Sequence, residues 1–262
     1  NMLASFSEAQ IVGKIFVISD KEPEERSVNK LDGADGILKK LGSGYLKASS
    51  QAGNIKTSVI DVASICGGCG KTRVAIGIAK ALCDMRKKVL YIDAENIQNF
   101  YEILEPDNAE GRKYIEGAQA NELLTPDSCR LSDIDEKIVK DKFDYLAPLK
   151  GSLMRYQLCA DMLVTLAETA AAENVYDYIV LEHGTGYDAR FLERLNRAEK
   201  IVLCKSAGSG FTARCENFLS DIRQFEGQMV IAEAAEEPED AVVLGIPVIP
   251  GGSYRKIAEA IM

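Results

Sequence analysis

The chain has 262 residues, of which 47% are hydrophobic and 27% charged, a composition typical of a folded globular protein that excludes a disordered or fibrous chain. Its 31 Lys and Arg residues against 40 Asp and Glu residues give a net charge of -9, which disfavours a nucleic-acid-binding module. No apolar run approaches the ~20 residues that span a bilayer, and the start of the chain lacks the pattern of a secretory signal. The seven scattered cysteines indicate reduced thiols. We therefore expect a cytoplasmic protein.

The N-terminal part of the chain differs in pattern from the rest. Residues 15–18 are predicted to form a strand and residues 34–41 a short helix, and the Gly and Ser residues between 42 and 53 predict a flexible connection. We therefore expect two parts, a small one at 1–51 and a main domain at 52–262.

From residue 57 onward, short apolar runs alternate with helical patterns, which is typical of βαβ units. The predicted strands are 57–63, 89–92, 178–181, 201–204, 229–232 and 246–249. The predicted helices are 72–85, 152–173, 189–197, 209–223 and 253–262. The fold class is therefore α/β, a mainly parallel twisted sheet with helices on both faces. The last helix has only Arg255 and Lys256 as basic residues, so we expect it to pack on the domain, with at most weak membrane association.

The strongest chemical signal lies between the first predicted strand of this domain and the helix that follows it. Residues 65–72 read Ile-Cys-Gly-Gly-Cys-Gly-Lys-Thr. Glycines let backbone N–H groups surround a phosphate, Lys71 would reach the outer phosphates, and Thr72 would offer its hydroxyl to Mg²⁺. The strict motif has Gly five positions before Gly70, where this chain has Ile65, yet the remaining features predict a nucleotide-binding loop rather than a structural turn. The residues expected to contact the nucleotide are Cys66, Gly67, Gly68, Cys69, Gly70, Lys71, Thr72 and Arg73.

Acidic residues follow two of the predicted strands. Asp93 and Glu95 come after the strand at 89–92, and Glu182 comes after the strand at 178–181. In open α/β sheets ligands bind at the carboxyl ends of the strands, so these acids should converge on the loop. Each acid alone is also explained as a cap of the segment that follows it. We assign Glu182, with the loop hydroxyl, to Mg²⁺, and Asp93 and Glu95, with the loop lysine, to catalysis.

These features together resemble the ParA/MinD family of deviant Walker A P-loop ATPases over residues 57–262. The segments that carry the resemblance are 66–72, 89–95 and 176–182. Within that family the sequence is most similar to the pilus-assembly branch called TadZ or CpaE, whose members carry an atypical receiver domain ahead of the ATPase. Residues 14–41 resemble the last strand and helix of such a domain, so 1–51 would be its C-terminal part plus a linker.

The resemblance implies an ATP-binding molecular switch that uses Mg²⁺ and forms a homodimer through a nucleotide sandwich. Its partners would be assembly proteins of a pilus or secretion machine at the cell pole. It also implies adenine contacts after the last strand, at Pro250 and Gly251. The family has a Lys at the position of Cys66 that assists hydrolysis across the dimer, so we expect weak or partner-activated ATPase activity. The family's usual aspartates are replaced by Glu182 on the magnesium side and by Glu95.

Two other functions stay open from the sequence. Cys66 in place of the catalytic lysine favours a non-catalytic scaffold that holds ATP only as a structural ligand. Cys66 and Cys69 also form a C-x-x-C pair that a thiol-based metal carrier would use, although the chain has no second C-x-x-C pair to complete a zinc site. His183 is expected to be a hydrogen-bonded strand-end residue rather than a general base, and Asp188 a helix cap.

Overall fold

The computed structural model describes residues 17–19, 27–29, 56–104, 111–116, 120, 130–185, 187–222, 225–236, 242–244 and 246–262. The chain divides into two units, Asn1–Asn54 and Ile55–Met262. In the first unit, β1 (Val17–Ser19) pairs in parallel with β2 (Ser27–Asn29). The helix predicted at 34–41 lies outside the described residues, so the receiver-like remnant stays a prediction.

Nine described strands of the second unit form one sheet. In chain order they are β3 (Ser58–Ser64), β4 (Val89–Ala94), β5 (Ile138–Val139), β6 (Asp144–Leu146), β7 (Tyr178–His183), β8 (Lys200–Ser206), β9 (Gln228–Ala234), β10 (Val242–Val243) and β11 (Ile246–Pro250). Their order across the sheet is β10-β11-β9-β8-β3-β7-β4-β6-β5. Only the outermost pairs, β10 with β11 and β5 with β6, are antiparallel, which confirms the predicted mainly parallel sheet.

Helices connect the strands and cover the sheet. The α-helices among the described residues are α1 (Lys71–Asp84), α2 (Tyr101–Leu104), α3 (Leu131–Ile134), α4 (Ala160–Ala172), α5 (Ala189–Arg197), α6 (Ser209–Asp221) and α7 (Tyr254–Ile261). Because side chains alternate along a strand, β4 sends Val89 and Tyr91 into the core beneath α1 and Leu90 and Ile92 into the core beneath α4. The buried strands are therefore apolar on both faces, as strands of a parallel sheet are.

The C-terminal helix packs against the domain as predicted. In α7 the side chains of Ile257, Ala258 and Ile261 are buried in the core that α1 also lines. No helix in the described ranges is long and apolar enough to span a bilayer.

The helix predicted over 152–173 is two shorter elements. A 3-10 turn occupies Leu153–Tyr156, and α4 begins only at Ala160. Gln157 ends the turn with a left-handed backbone (φ 58°), which a continuous right-handed helix cannot contain. The element boundary therefore depends on one backbone conformation that side-chain periodicity does not report.

Candidate functional site

The candidate phosphate loop joins β3 to α1. Gly68 (φ 74°) and Gly70 (φ 78°) both have left-handed backbones, and Gly70 caps α1 without a side-chain hydrogen bond to the first turn. A Cβ atom placed on Gly67, Gly68 or Gly70 would meet no other atom within 4 Å, so there is open space beside the loop. The helix start leaves backbone N–H groups without intrahelical partners, and such a terminus favours an anion.

Lys71 is the first residue of α1, and its side chain is 5% exposed. Its ammonium group forms an ion pair with the Glu95 carboxylate, donates to the backbone carbonyl oxygen of His183, and lies 3.3 Å from Oε1 of Glu182. Burial alone would lower the pKa of Lys71, but the Glu182 and Glu95 carboxylates outweigh burial and raise this pKa above its usual value. Lys71 is therefore a permanent cation within the site.

The Glu182 carboxylate is buried at the end of β7 and accepts two hydroxyl hydrogen bonds. Thr72 Oγ1 donates to Oε1 at 2.7 Å, and the Tyr91 hydroxyl donates to Oε2 at 2.6 Å. Burial raises the pKa of Glu182, and the Lys71 charge and the two hydroxyls oppose that effect. A hydroxyl oxygen and a carboxylate oxygen in contact are the donor set that Mg²⁺ takes alongside phosphate oxygens, so these residues fit the ion that the sequence predicts.

Asp93 and Glu95 occupy different environments at the end of β4. Asp93 is 3% exposed, and its Oδ1 accepts the Glu95 backbone N–H at 2.8 Å. Burial, followed by the nearby Glu182 charge, raises the pKa of Asp93 well above its usual value. The Glu95 side chain is 29% exposed. Of the two acids proposed for catalysis, Glu95 is the one with access to solvent.

The structure brings together five of the residues predicted from the sequence: Lys71, Thr72, Asp93, Glu95 and Glu182. Arg73 is exposed on α1.

The predicted adenine contacts, Pro250 and Gly251, stand at the end of β11. The backbone N–H of Gly251 donates to the Glu233 carbonyl oxygen at 2.6 Å, and a Cβ atom on Gly251 would lie 3.7 Å from Val74 in α1. These residues are therefore close to the start of α1, and their contact with adenine stays a prediction.

Sequence reasoning missed the partners of several polar groups around the site. Tyr91 reads as a strand-core residue, and nothing in its sequence position signals its bond to Glu182. His183 is buried with its Nε2 2.7 Å from Oδ1 of Asp61, and Arg194 Nε donates to the same oxygen at 3.1 Å, which confirms a hydrogen-bonded strand-end histidine. The sequence does contain one signal of these buried polar contacts, because Asp61 is a charged residue inside the apolar run of β3. Asp188 caps α5 as predicted.

A second buried ion pair lies at the same edge of the sheet. Nζ of Lys205, at the end of β8, is 2.6 Å from Oε2 of Glu233 in β9, and both side chains have 0% exposure. Lys205 also donates to Thr212 Oγ1 at 3.3 Å.

Among the described residues, no group of three or more His, Cys, Asp or Glu side chains is arranged to hold a metal ion, so the thiol-based metal carrier gains no support.

The chain is similar to known proteins over the region that contains this site. The model of the AAA_31 family, described as an AAA domain, matches residues 57–227. An uncharacterized ATP-binding protein of Methanocaldococcus jannaschii is 29% identical over 147 residues, which are 55% of this chain and 51% of that protein. The chain thus spans about half the length of that relative.

Solved structures share the fold at low sequence identity. A ParA family ATPase from Chlorobium tepidum has a TM-score of 0.55 at 19% identity, covering 78% of this chain and 92% of that one. The cell division ATPase MinD of Pyrococcus furiosus has a TM-score of 0.52 at 16% identity, with coverage of 78% and 97%. A chain of the MinC:MinD cell division complex of Aquifex aeolicus has a TM-score of 0.51 at 17% identity, with coverage of 78% and 92%. The second unit therefore has the ParA/MinD-like P-loop NTPase fold.

Proposed function

The chain belongs to the AAA_31 family of AAA domains, and on this premise we propose that it is an ATP-dependent molecular switch that hydrolyses ATP slowly. The observation that carries this proposal is the contact between the start of α1 and the end of β7. There Lys71 and Thr72 both reach the buried carboxylate of Glu182. A cation, a hydroxyl and a carboxylate beside a Gly-rich loop are the groups that a Mg-ATP site requires.

ATP would bind by replacing contacts that the chain now makes with itself. Lys71 is paired with Glu95 and Glu182, so the phosphates must compete with these carboxylates for its ammonium group. Backbone N–H groups of the loop and the α1 N-terminus would surround the phosphate oxygens. Thr72 and Glu182 would hold Mg²⁺, which supplies positive charge to the phosphates when bound. That charge matters here because the acids of the site outnumber its lysine.

Hydrolysis is proposed to be slow because the loop lacks a second cation. Cys66 stands where the resembling family has a lysine, and a cation supplied to the transferring phosphate contributes about 10³–10⁵ in rate. Glu95 is the residue proposed to orient the attacking water, since its carboxylate is partly exposed beside Lys71. Arg73 is exposed, and we propose it as the residue that would substitute for the missing lysine, in this chain or across a dimer.

We further propose that two protomers sandwich ATP and that the dimer positions proteins of a Tad-type pilus or secretion machine. The resemblance to the TadZ/CpaE branch supports this role, and the MinC:MinD complex shows a protein of this fold in a complex with a partner. A fluorescently tagged chain is expected to form a focus at the cell pole together with the machine, and the focus should be lost in Lys71→Ala. A focus that persists in this variant would contradict nucleotide-dependent positioning.

The nucleotide site is tested by equilibrium binding of a fluorescent ATP analogue in Mg²⁺. Lys71→Ala should weaken binding by about 100-fold or more, because it removes the buried cation that would bond the phosphates. Lys80→Ala, which removes a half-buried lysine further along the same helix, is the matched control and should bind as the wild type does. Circular dichroism of both variants checks that they fold. Unchanged affinity in a folded Lys71→Ala protein would refute the site.

A further inference from the structure

Two thiols flank one turn of the phosphate loop, and the proposed ATP chemistry uses neither side chain. Cys66 and Cys69 stand on either side of the turn formed by Gly67 and Gly68. The first and fourth Cα atoms of a β-turn lie within about 7 Å of each other, and a disulfide joins Cα atoms about 4.4–6.8 Å apart. The Cys69 thiol donates to the Cys66 carbonyl oxygen at 3.4 Å, so its sulfur already lies against the other cysteine.

The two thiols differ in how easily a reagent reaches them. Cys66 is half-buried, and its sulfur lies 3.7 Å from the Ser206 hydroxyl oxygen at the end of β8. Cys69 is only 3% exposed, and burial raises the pKa of its thiol, so it is the slower nucleophile. Cys204, which lies deeper, is fully buried with a pKa raised well above its usual value by burial. Exposure therefore favours attack by Cys66 first and closure by Cys69 second.

We propose that Cys66 and Cys69 form a thiol–disulfide exchange site whose substrate is a low-molecular-weight disulfide of the glutathione class, and that the closed disulfide opposes phosphate binding in the same loop. The second part rests on the proposed ATP function. The first part concerns the loop alone and stands independently of any nucleotide.

The exchange proceeds in two balanced steps. The Cys66 sulfur attacks one sulfur of the reagent, which breaks the reagent's S–S bond and forms a mixed disulfide. The released thiolate takes the Cys66 proton. The Cys69 sulfur then attacks the Cys66 sulfur and expels the second reagent thiolate, which takes the Cys69 proton. Two protein thiols are oxidised to one disulfide, and one reagent disulfide is reduced to two thiols.

The disulfide and the phosphate make different demands on the loop. A disulfide holds the two Cβ atoms about 3.5–4.5 Å apart and closes the turn into a small covalent ring that contains Gly67 and Gly68. A phosphate needs the loop to open its N–H groups around the oxygens. Coupling between two equilibria is reciprocal, so bound ATP should disfavour the disulfide by the factor by which the disulfide weakens ATP binding.

The site is tested first without nucleotide. The full chain is equilibrated in mixtures of reduced and oxidised glutathione, alkylated, and analysed by mass spectrometry with peptide mapping. The expected product has lost two hydrogen atoms and links Cys66 to Cys69. Cys66→Ser should abolish this product, and Cys159→Ser, which removes an exposed thiol at the start of α4, should retain it. A chain that stays reduced, keeps a glutathione adduct on Cys66, or links Cys69 to Cys204 overturns the site.

The coupling is tested by ATP affinity before and after oxidation. The dissociation constant for ATP should be about tenfold higher in oxidised wild type than in the reduced chain. Cys66→Ser should show the same affinity, whatever its value, with and without oxidant. Equal affinities of the reduced and oxidised wild type overturn the coupling while the disulfide stands. A reduced wild type that binds no ATP overturns the proposed function and the coupling together, and the mass measurement still decides the disulfide.

Discussion

At the scale of single residues, Lys71 lies among three carboxylates beside the loop. Lys71 forms ion pairs with Glu95 and Glu182, and Asp93 is paired with Glu182 in the β4–β7 register. Burial, and then the nearby Glu182 charge, raises the pKa of Asp93 well above its usual value, so this carboxyl holds a proton more readily than an exposed one. The site is therefore arranged for additional positive charge.

Asp93→Asn should raise the free energy of unfolding at pH 7. The folded-state pKa of Asp93 lies above the unfolded value of about 3.9. The contribution of Asp93 to the free energy of unfolding is therefore most favourable below about pH 3.9 and falls as the pH rises through the folded-state pKa. Asn does not ionise, so the advantage of the variant should grow from about pH 4 to pH 7. Urea unfolding at both pH values measures it, with the exposed Asp84→Asn as control. A variant less stable than wild type at pH 7 contradicts the assigned cause.

Cys66→Lys should increase the rate of ATP hydrolysis. The added ammonium group would supply the missing cation to the transferring phosphate, and we expect a gain of at least about tenfold, below the full 10³–10⁵ of an optimised cation. Phosphate release at saturating Mg-ATP measures it, with Cys66→Ala as control for loss of the thiol. Equal rates in the Lys and Ala variants would indicate that a missing cation is not what limits hydrolysis.

The acids of the site could be predicted from the sequence because Asp93 and Glu182 stand at the carboxyl ends of buried strands and Glu95 directly follows one, and parallel strands end at one edge. Tyr91 could not be predicted, because an aromatic residue within a strand is usually explained by core packing alone. Likewise, the pairing of Asp61 with His183 joins residues 122 positions apart, and no local pattern records it.

At the scale of elements, α1 connects the loop to the rest of the domain and packs against α7. Gly77 in the middle of α1 faces the Tyr254 ring at the start of α7, and a Cβ atom on Gly77 would lie 2.3 Å from that ring. Since real contacts are never so short, the helix pair approaches this closely only because the position is Gly. The packing of α7 thereby fixes the position of the helix that carries Lys71.

Gly77→Ala should therefore destabilise the domain by about 1–3 kcal/mol through overpacking, although Ala is normally favoured over Gly in a helix by ~1 kcal/mol. In a Tyr254→Ala background the same substitution should become neutral or stabilising, because the clashing ring is gone. Urea unfolding of the four proteins in this double-mutant cycle measures the effect. Stabilisation by Gly77→Ala alone would contradict the packing described.

The long elements could be predicted because their patterns repeat over several residues. The strands β5 and β6 could not, because they have two and three residues and therefore show no period. The break between the 3-10 turn and α4 also escaped prediction, since it depends on the left-handed backbone of Gln157.

At the scale of the whole molecule, two large apolar side chains are exposed beside the site. Ile97, two residues after Glu95, is 69% exposed, and Met154 is 78% exposed. A backbone hydrogen bond joins the segments that carry Ile97 and Met154, since the Leu153 N–H donates to the Asn96 carbonyl oxygen at 2.9 Å. Apolar side chains at the edge where ATP is proposed to bind are what a nucleotide-sandwich dimer would cover.

Ile97→Glu should weaken the proposed ATP-dependent dimer by about tenfold or more, because the interface would then bury a carboxylate, and it should leave the ATP affinity of the dilute chain unchanged. Val175→Glu is the matched control, since Val175 is an exposed apolar residue before β7, at the opposite end of that strand from Glu182. Sedimentation velocity with Mg-ATP measures both. Equal dimerisation of the two variants would exclude Ile97 from the interface.

Phosphate release per protomer, measured over a wide range of protein concentration, tests whether the proposed switch hydrolyses ATP as a dimer. We expect a specific rate that climbs as protomers associate and is absent in Lys71→Ala. A rate equal to the buffer background at every concentration would contradict hydrolysis by the dimer.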